Sequence, residues 1–250
     1  YIKIIKPTSS LFIAFDGVAP FAKMDQQRVR RYKNKYISNC SINNDNLPKW
    51  DTSLSNRISY TFTNMEHKYN IKKIIVSGSN EPGEGEHKLF SYLRKNPCLN
   101  ENIALYGLDS DLIMLSIFHL QFCNNIYIFR EAPEFLKQYF PIESSHDPTL
   151  PYFLDMKVLS SSILTEMRCS NIDSHRIYDY IFLCFFMGND FLPHFPSMNI
   201  RTHGINVLLD MYRFFIGNNP EKFLVSRESG KIYWKNFALL INEIAKKEHD

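Results

Sequence analysis

Six carboxylates in this chain stand beside glycine and short apolar runs, and that placement limits how the chain can fold. Asp16 closes LFIAFDG, Glu84 and Glu86 follow IIVSG in PGEGEHK, Asp109 and Asp111 follow an apolar run in LYGLDSDL, and Asp190 lies in MGNDFLP. Acids so placed belong at the mouth of a sheet rather than on a solvated face. Taken singly, each is equally well a turn former or a helix cap. Taken as a set they fit that reading poorly, because cap acids need not adjoin buried runs. Two like charges about 5 Å apart repel by roughly 3 kcal/mol at an effective dielectric near 20. A converging cluster would therefore protonate or bind cations, and all-oxygen ligation favours Mg²⁺ or Mn²⁺ over zinc.

The apolar runs Leu11–Phe15, Ile74–Val76 and Ile103–Tyr106 read as buried parallel strands, and Ile126–Phe129 as a further strand. Helical patterns lie between them at Ala22–Tyr36, Ile58–Tyr69 and Glu86–Arg94. Alternation of this kind predicts an α/β sheet with ligands at the carboxyl ends of its strands. The Asn- and Ser-rich stretch Asn39–Trp50 reads as a loop, and Pro133–Pro151, with four prolines, as an irregular connection. Beyond it, helices are expected at Phe153–Arg168, Ser174–Met187, His203–Ile216 and Trp234–Lys247. The expectation is one domain over 1–250, with an α/β part at 11–132 and a mainly helical part at 152–250 that carries Asp190.

A length of 250 residues suffices for a full core. The net charge of +3 does not by itself imply nucleic-acid binding, since it sums an acidic set and compensating basic regions. The five cysteines, Cys40, Cys98, Cys123, Cys169 and Cys184, are scattered without a C-x-x-C pair and read as reduced thiols of an intracellular protein. The longest apolar run, Tyr180–Met187, is too short to cross a bilayer, so no membrane partner is expected.

After Asp16 comes a basic helix, with Lys23, Gln27, Arg30 and Arg31 at i, i+4, i+7 and i+8. At ~100° per residue they share an arc of roughly 100°. Three cations and an amide on one stripe suit a phosphate group, and a solvated basic face remains the competing account. His87 and His194 adjoin acids and are open to a phosphate contact or a packing role. GEGE lacks the Lys-Ser/Thr of a P-loop. There is no zinc spacing and no G-x-S-x-G elbow to begin a serine hydrolase.

The segments FIAFDGVAPFAKMDQQRVRR, VSGSNEPGEGEHKLFSYLR, LYGLDSDLIMLS, IFREAPEF and DYIFLCFFMGNDFLPHFPSM closely resemble, in order, the nuclease core of the Xrn-type 5′→3′ exoribonucleases. The resemblance runs from about Leu11 to Tyr212. It implies a PIN/flap-nuclease-like, mainly parallel twisted sheet flanked by helices. It also implies a site for two Mg²⁺ or Mn²⁺ ions at Asp16, Glu84, Glu86, Asp109, Asp111 and Asp190. Lys23, Gln27, Arg30 and Arg31 match the family's pocket for the 5′-monophosphate of single-stranded RNA. The implied activity is stepwise hydrolysis to mononucleotides by an intracellular enzyme, expected as a monomer and assigned to neither cytoplasm nor nucleus.

The chain departs from the family pattern at Phe21, where a basic residue is usual, and at WDTSLSNRIS, which lacks the usual Thr-Pro-Gly-Thr. The family's first motif, with a further catalytic Asp and a stacking His, and its long C-terminal extension are also missing from this sequence. Activity of this piece alone is therefore an open expectation. Two rival readings are a flap-type DNA nuclease and an inactive RNA-binding scaffold of the same fold.

Overall fold

Two apolar pentapeptides distant in sequence pair in parallel to start the fold. In this computed structural model, which describes residues 1–40, 57–58, 60–62, 65–107, 109–131, 151–195, 204–226 and 228–247, β1 (Ser10–Ala14) aligns with β2 (Lys73–Ser77). Ser10 lies opposite Lys73 and Ala14 opposite Ser77. The chain forms two compact units, Tyr1–Asn96 and Pro97–Asp250.

In the first unit, parallel pairing requires a crossover, and that crossover carries the 20-residue helix Phe21–Cys40. The expected helix at Ile58–Tyr69 lies partly outside the described residues. Its last turn, Glu66–Tyr69, ends at Asn70 in the left-handed conformation (φ 55°), a position asparagine tolerates. Glu66 then accepts the Ile74 backbone N–H at 2.9 Å and so fixes the start of β2. The helix Gly85–Lys95 packs Phe90 and Leu93 inward, and Tyr92 lies against Phe12 of β1 with ring centroids 5.0 Å apart.

In the second unit, β3 (Asn102–Tyr106) runs parallel to β4 (Asn125–Arg130), with the helix Ser110–His119 between them. A strand that sequence reasoning missed, β5 (Tyr152–Asp155), joins β4 antiparallel, with Tyr127 opposite Asp155. The helix expected from Phe153 starts only at Met156, because the Asp155 carboxylate caps it by accepting the Lys157 and Val158 N–H groups. The observed class is thus mixed α/β, with four expected strands found within two residues of their predicted ends.

Beyond β5 the unit is helical. Met167, Leu183, Leu208, Met211, Tyr212, Ile216, Leu224, Leu240 and Ile244 form its core. The helix Arg176–Cys184 runs into a 3₁₀ turn at Phe185–Met187, and the helix Gly204–Tyr212 into a π turn at Arg213–Gly217. A polar network crosses this core. Tyr212 donates to Asp179 at 2.6 Å and accepts from Arg176 at 3.0 Å. The Leu224 and Val225 N–H groups both donate to the other Asp179 oxygen at 2.9 Å. Arg176 spends further N–H groups on Asn171, the Asn219 carbonyl and the Lys222 carbonyl, and covers the Phe223 ring at 4.7 Å.

Candidate metal and phosphate site

Three of the six carboxylates lie in the first unit: Asp16 just past β1, Glu84 at the N-cap of the helix Gly85–Lys95, and Glu86 in the first turn of that helix. Asp16 follows β1 by two residues, and its Oδ1 accepts the Gly85 N–H at 2.7 Å. It thereby satisfies one orphan donor at a helix N-terminus, where negative charge is also favoured. The loops are locked to one another. Gly17 donates to the Gly83 carbonyl at 2.8 Å, and Gly83 donates to Val18 at 2.9 Å. A Cβ on Gly17 would lie 1.8 Å from the Glu81 carbonyl oxygen, so only glycine permits this approach. Lys88 bolts the two strand ends together, donating to the Phe15 and Gly78 carbonyls at 2.8 Å each.

Glu84 stands on the buried side of this frame. Its Oε1 pairs with Lys23 Nζ at 3.1 Å. Its Oε2 is buried and has no hydrogen-bond partner, although His87 Nε2 stands 3.7 Å away. His87 Nε2 is also 3.9 Å from Glu86 Oε1. Ligand atoms of Glu84, Glu86 and His87 all lie within 4.8 Å of one another. An orphaned carboxylate oxygen beside a second carboxylate and an imidazole is costly without a cation. This donor set therefore fits a divalent metal, with two hard oxygens and one nitrogen.

The basic stripe forms as expected on the helix Phe21–Cys40. Its members differ in environment: Lys23 is buried against Glu84, Gln27 is half-buried, and Arg30 and Arg31 are exposed. Phe21, at the helix start, is 89% exposed.

The other three carboxylates lie in the second unit. Asp109 is the N-cap residue of the helix Ser110–His119, without a side-chain cap bond, and Asp111 falls in its first turn. Asp190 is half-buried in a loop organised by its neighbour. Asn189 Oδ1 accepts the Phe191 and Leu192 N–H groups, and the Asn189 N–H donates to the Leu192 carbonyl. Gly188 sets up that loop at φ 82°, ψ 154°, a region that essentially only glycine adopts. The Glu84–Glu86–His87 group is the one drawn together closely enough for a metal among the described residues.

The family model described as "XRN 5′-3′ exonuclease N-terminus" matches residues 1–57 and 47–132, and the model described as "Xrn1 helical domain" matches 171–250. The chain belongs to the Xrn 5′-3′ exonuclease family. It is similar to the 5′-3′ exoribonuclease 2 of Arabidopsis thaliana, at 30% identity over 98% of this chain and 31% of the relative. The Aspergillus oryzae protein of that name is 28% identical over 99% of the chain and 30% of the relative. The Saccharomyces cerevisiae one is 29% identical over 85% and 27%. The chain thus spans just under a third of the length of the curated relatives it matches.

Within this Xrn-family chain, sequence reasoning ranked His87 low and passed over Lys88. The signal for His87 was available, since it falls three positions after Glu84, the N-cap residue of the helix Gly85–Lys95. Nothing local marks Lys88, because its partners are 73 and 10 residues away. No helix among the described residues is long and apolar enough to cross a membrane.

Proposed function

We propose that this chain carries the nuclease core of a divalent-cation-dependent 5′→3′ exoribonuclease that degrades 5′-monophosphorylated single-stranded RNA to mononucleotides. The reading is carried by the buried, unpartnered Glu84 oxygen, grouped with Glu86 and His87 and joined by one ion pair to the basic helix. The relatives' name, 5′-3′ exoribonuclease, points the same way.

In this reading Asp16, Glu84, Glu86, Asp109, Asp111 and Asp190 would hold two Mg²⁺ or Mn²⁺ ions. Such ions, when bound, supply an activated water and stabilise the leaving oxygen. The remaining work falls to this chain's own side chains. Lys23, Gln27, Arg30 and Arg31 grip the 5′-monophosphate and measure off the terminal nucleotide. A cap or triphosphate is refused by size and by charge left unpaired. Lys88 and the Gly17–Gly83 bonds keep Asp16 and Glu84 in register. The six acids then work on a PIN-like, mainly parallel twisted sheet, within one nuclease domain over 1–250 that acts as a monomer. Its α/β part is 11–132 and its helical part 152–250.

The test is digestion of RNA carrying a 5′-monophosphate, a 5′-triphosphate or a 5′-hydroxyl, with flap DNA alongside, in Mg²⁺ and in chelator. Only the monophosphorylated RNA should be trimmed, and only with metal. Asp109→Ala and Asp190→Ala should abolish trimming without unfolding the protein. Arg30→Ala with Arg31→Ala should erase the preference for the monophosphate. Preferred cleavage of flap DNA, or equal digestion of all RNA ends, would refute the assignment.

A further inference from the structure

Lys23 stands at the meeting point of two charges. Its ammonium is 3.1 Å from Glu84 Oε1, with the two side chains only 11% and 9% exposed. It is also the first member of the stripe that continues through Gln27, Arg30 and Arg31 on the same helix. At so buried a position screening is weak, and a cation arriving at Glu84 meets the lysine's like charge at close range. Glu84 therefore has two candidate counter-charges and little room for both. A phosphate seated on the basic stripe gives the displaced ammonium a new partner. The lysine stem is long and flexible enough to move its head by a few ångströms while the helix stays in place.

We propose that Lys23 couples cation binding to phosphate binding: it neutralises Glu84 while the site is empty and turns to the 5′-phosphate when a divalent cation takes Glu84. This rests on the exoribonuclease reading above and adds a regulation that the reading does not contain. By linkage, each ligand strengthens the other by the same factor. RNA ends without a 5′-phosphate leave Lys23 on Glu84 and so weaken metal loading. Discrimination of the 5′ end then acts through the metal as well as through RNA affinity.

The experiment needs no turnover. Free Mn²⁺ is followed by its electron paramagnetic resonance signal as the protein is titrated, alone, with uridine 5′-monophosphate, or with uridine. A protein-free blank corrects for direct binding of Mn²⁺ to the nucleotide. In the wild type, the monophosphate should tighten Mn²⁺ binding about tenfold, and uridine should leave it unchanged. Lys23→Gln should bind Mn²⁺ about tenfold more tightly without nucleotide, and the monophosphate should then add less than about twofold. Lys23→Arg, which keeps the charge, should retain the coupling, and circular dichroism checks that both variants fold.

Coupling that persists in Lys23→Gln would mean that phosphate and cation touch directly, and the proposal would fall with the exoribonuclease reading intact. A wild type whose Mn²⁺ affinity ignores the monophosphate overturns it equally, even if the variants do not fold. A wild type that binds no Mn²⁺ at all would overturn the function proposed above, and this inference with it.

Discussion

Each unit buries a carboxylate, and the two are held in opposite ways. Asp179 in the second unit is fully enclosed, and both of its oxygens are satisfied, by Tyr212 on one side and by the Leu224 and Val225 N–H groups on the other. Glu84 in the first unit keeps one oxygen for Lys23 and leaves the other without a hydrogen bond. Burial of an acid therefore does not mark a functional site. Asp179 is a rivet, joining the backbone at 224–225 to its own helix and to Tyr212 at the end of the helix Gly204–Tyr212. Glu84 is left with bonding capacity that the protein itself does not use.

The sharpest way to break this comparison is to remove the rivet. Asp179→Ala leaves two backbone N–H groups and the Tyr212 hydroxyl without their acceptor, close to the buried Arg176 guanidinium. A loss of about 3–5 kcal/mol is expected, read as a lower urea midpoint. A loss under about 1 kcal/mol would mean that water or a neighbour replaces the carboxylate, and the contrast with Glu84 would disappear.

Lys88→Met comes next. It deletes two charge-assisted hydrogen bonds to the strand-end carbonyls at a cost of about 2–3 kcal/mol. Because those carbonyls adjoin Asp16 and the loop leading to Glu84, RNA trimming should fall at temperatures where circular dichroism still reports folded protein. Unchanged trimming with lowered stability would make Lys88 a packing residue only.

Gly188→Ala should follow, at about 1–3 kcal/mol. Its backbone angles exclude a side chain, and its Cβ would also meet the His194 nitrogen at 2.7 Å. The nearby Asp190 would move with the loop. Thermal unfolding of the variant measures the cost, and a midpoint equal to wild type would show that the loop relaxes freely.

The two buried acids also explain what could be read from the sequence. Strands β1 to β4 were legible as short apolar runs such as LFIA and KIIV, although in β1 and β2 these residues are half-buried rather than buried. β5 was not, since YFLD follows a proline-rich connection and merges into a helical pattern, its half-exposed edge position giving no clean alternation. The acids at strand ends were legible as candidates from their glycine neighbours. Which of them would be left with an unused oxygen was not. That depends on Lys23, 61 positions before Glu84, and on a tertiary approach no local pattern encodes. The environment of Asp179 was equally illegible. Its three donors come from positions 212, 224 and 225, which only folding brings near.

The smallest effect is expected at alkaline pH, on the helix that carries Asp179. Burial pushes the Cys184 thiol from its ordinary 9.0 up to about 11. Burial, aided by the neighbouring Cys184, pushes the Tyr180 hydroxyl from 10.0 up to about 12. Both groups hold their protons more tightly in the folded unit than in the unfolded chain. Their contribution is therefore complete below pH 9 and declines as pH rises, through about 11 for Cys184 and about 12 for Tyr180. A shift of two pH units bounds each at roughly 2.7 kcal/mol. The two share a hydrogen bond and titrate as a pair, so about 1–2 kcal/mol is the expected total. Urea midpoints at pH 8 and pH 10.5 should fall in the wild type and fall less in Cys184→Ala. Equal falls would assign the alkaline loss to groups elsewhere and leave this helix held by its apolar face and the Asp179 rivet alone.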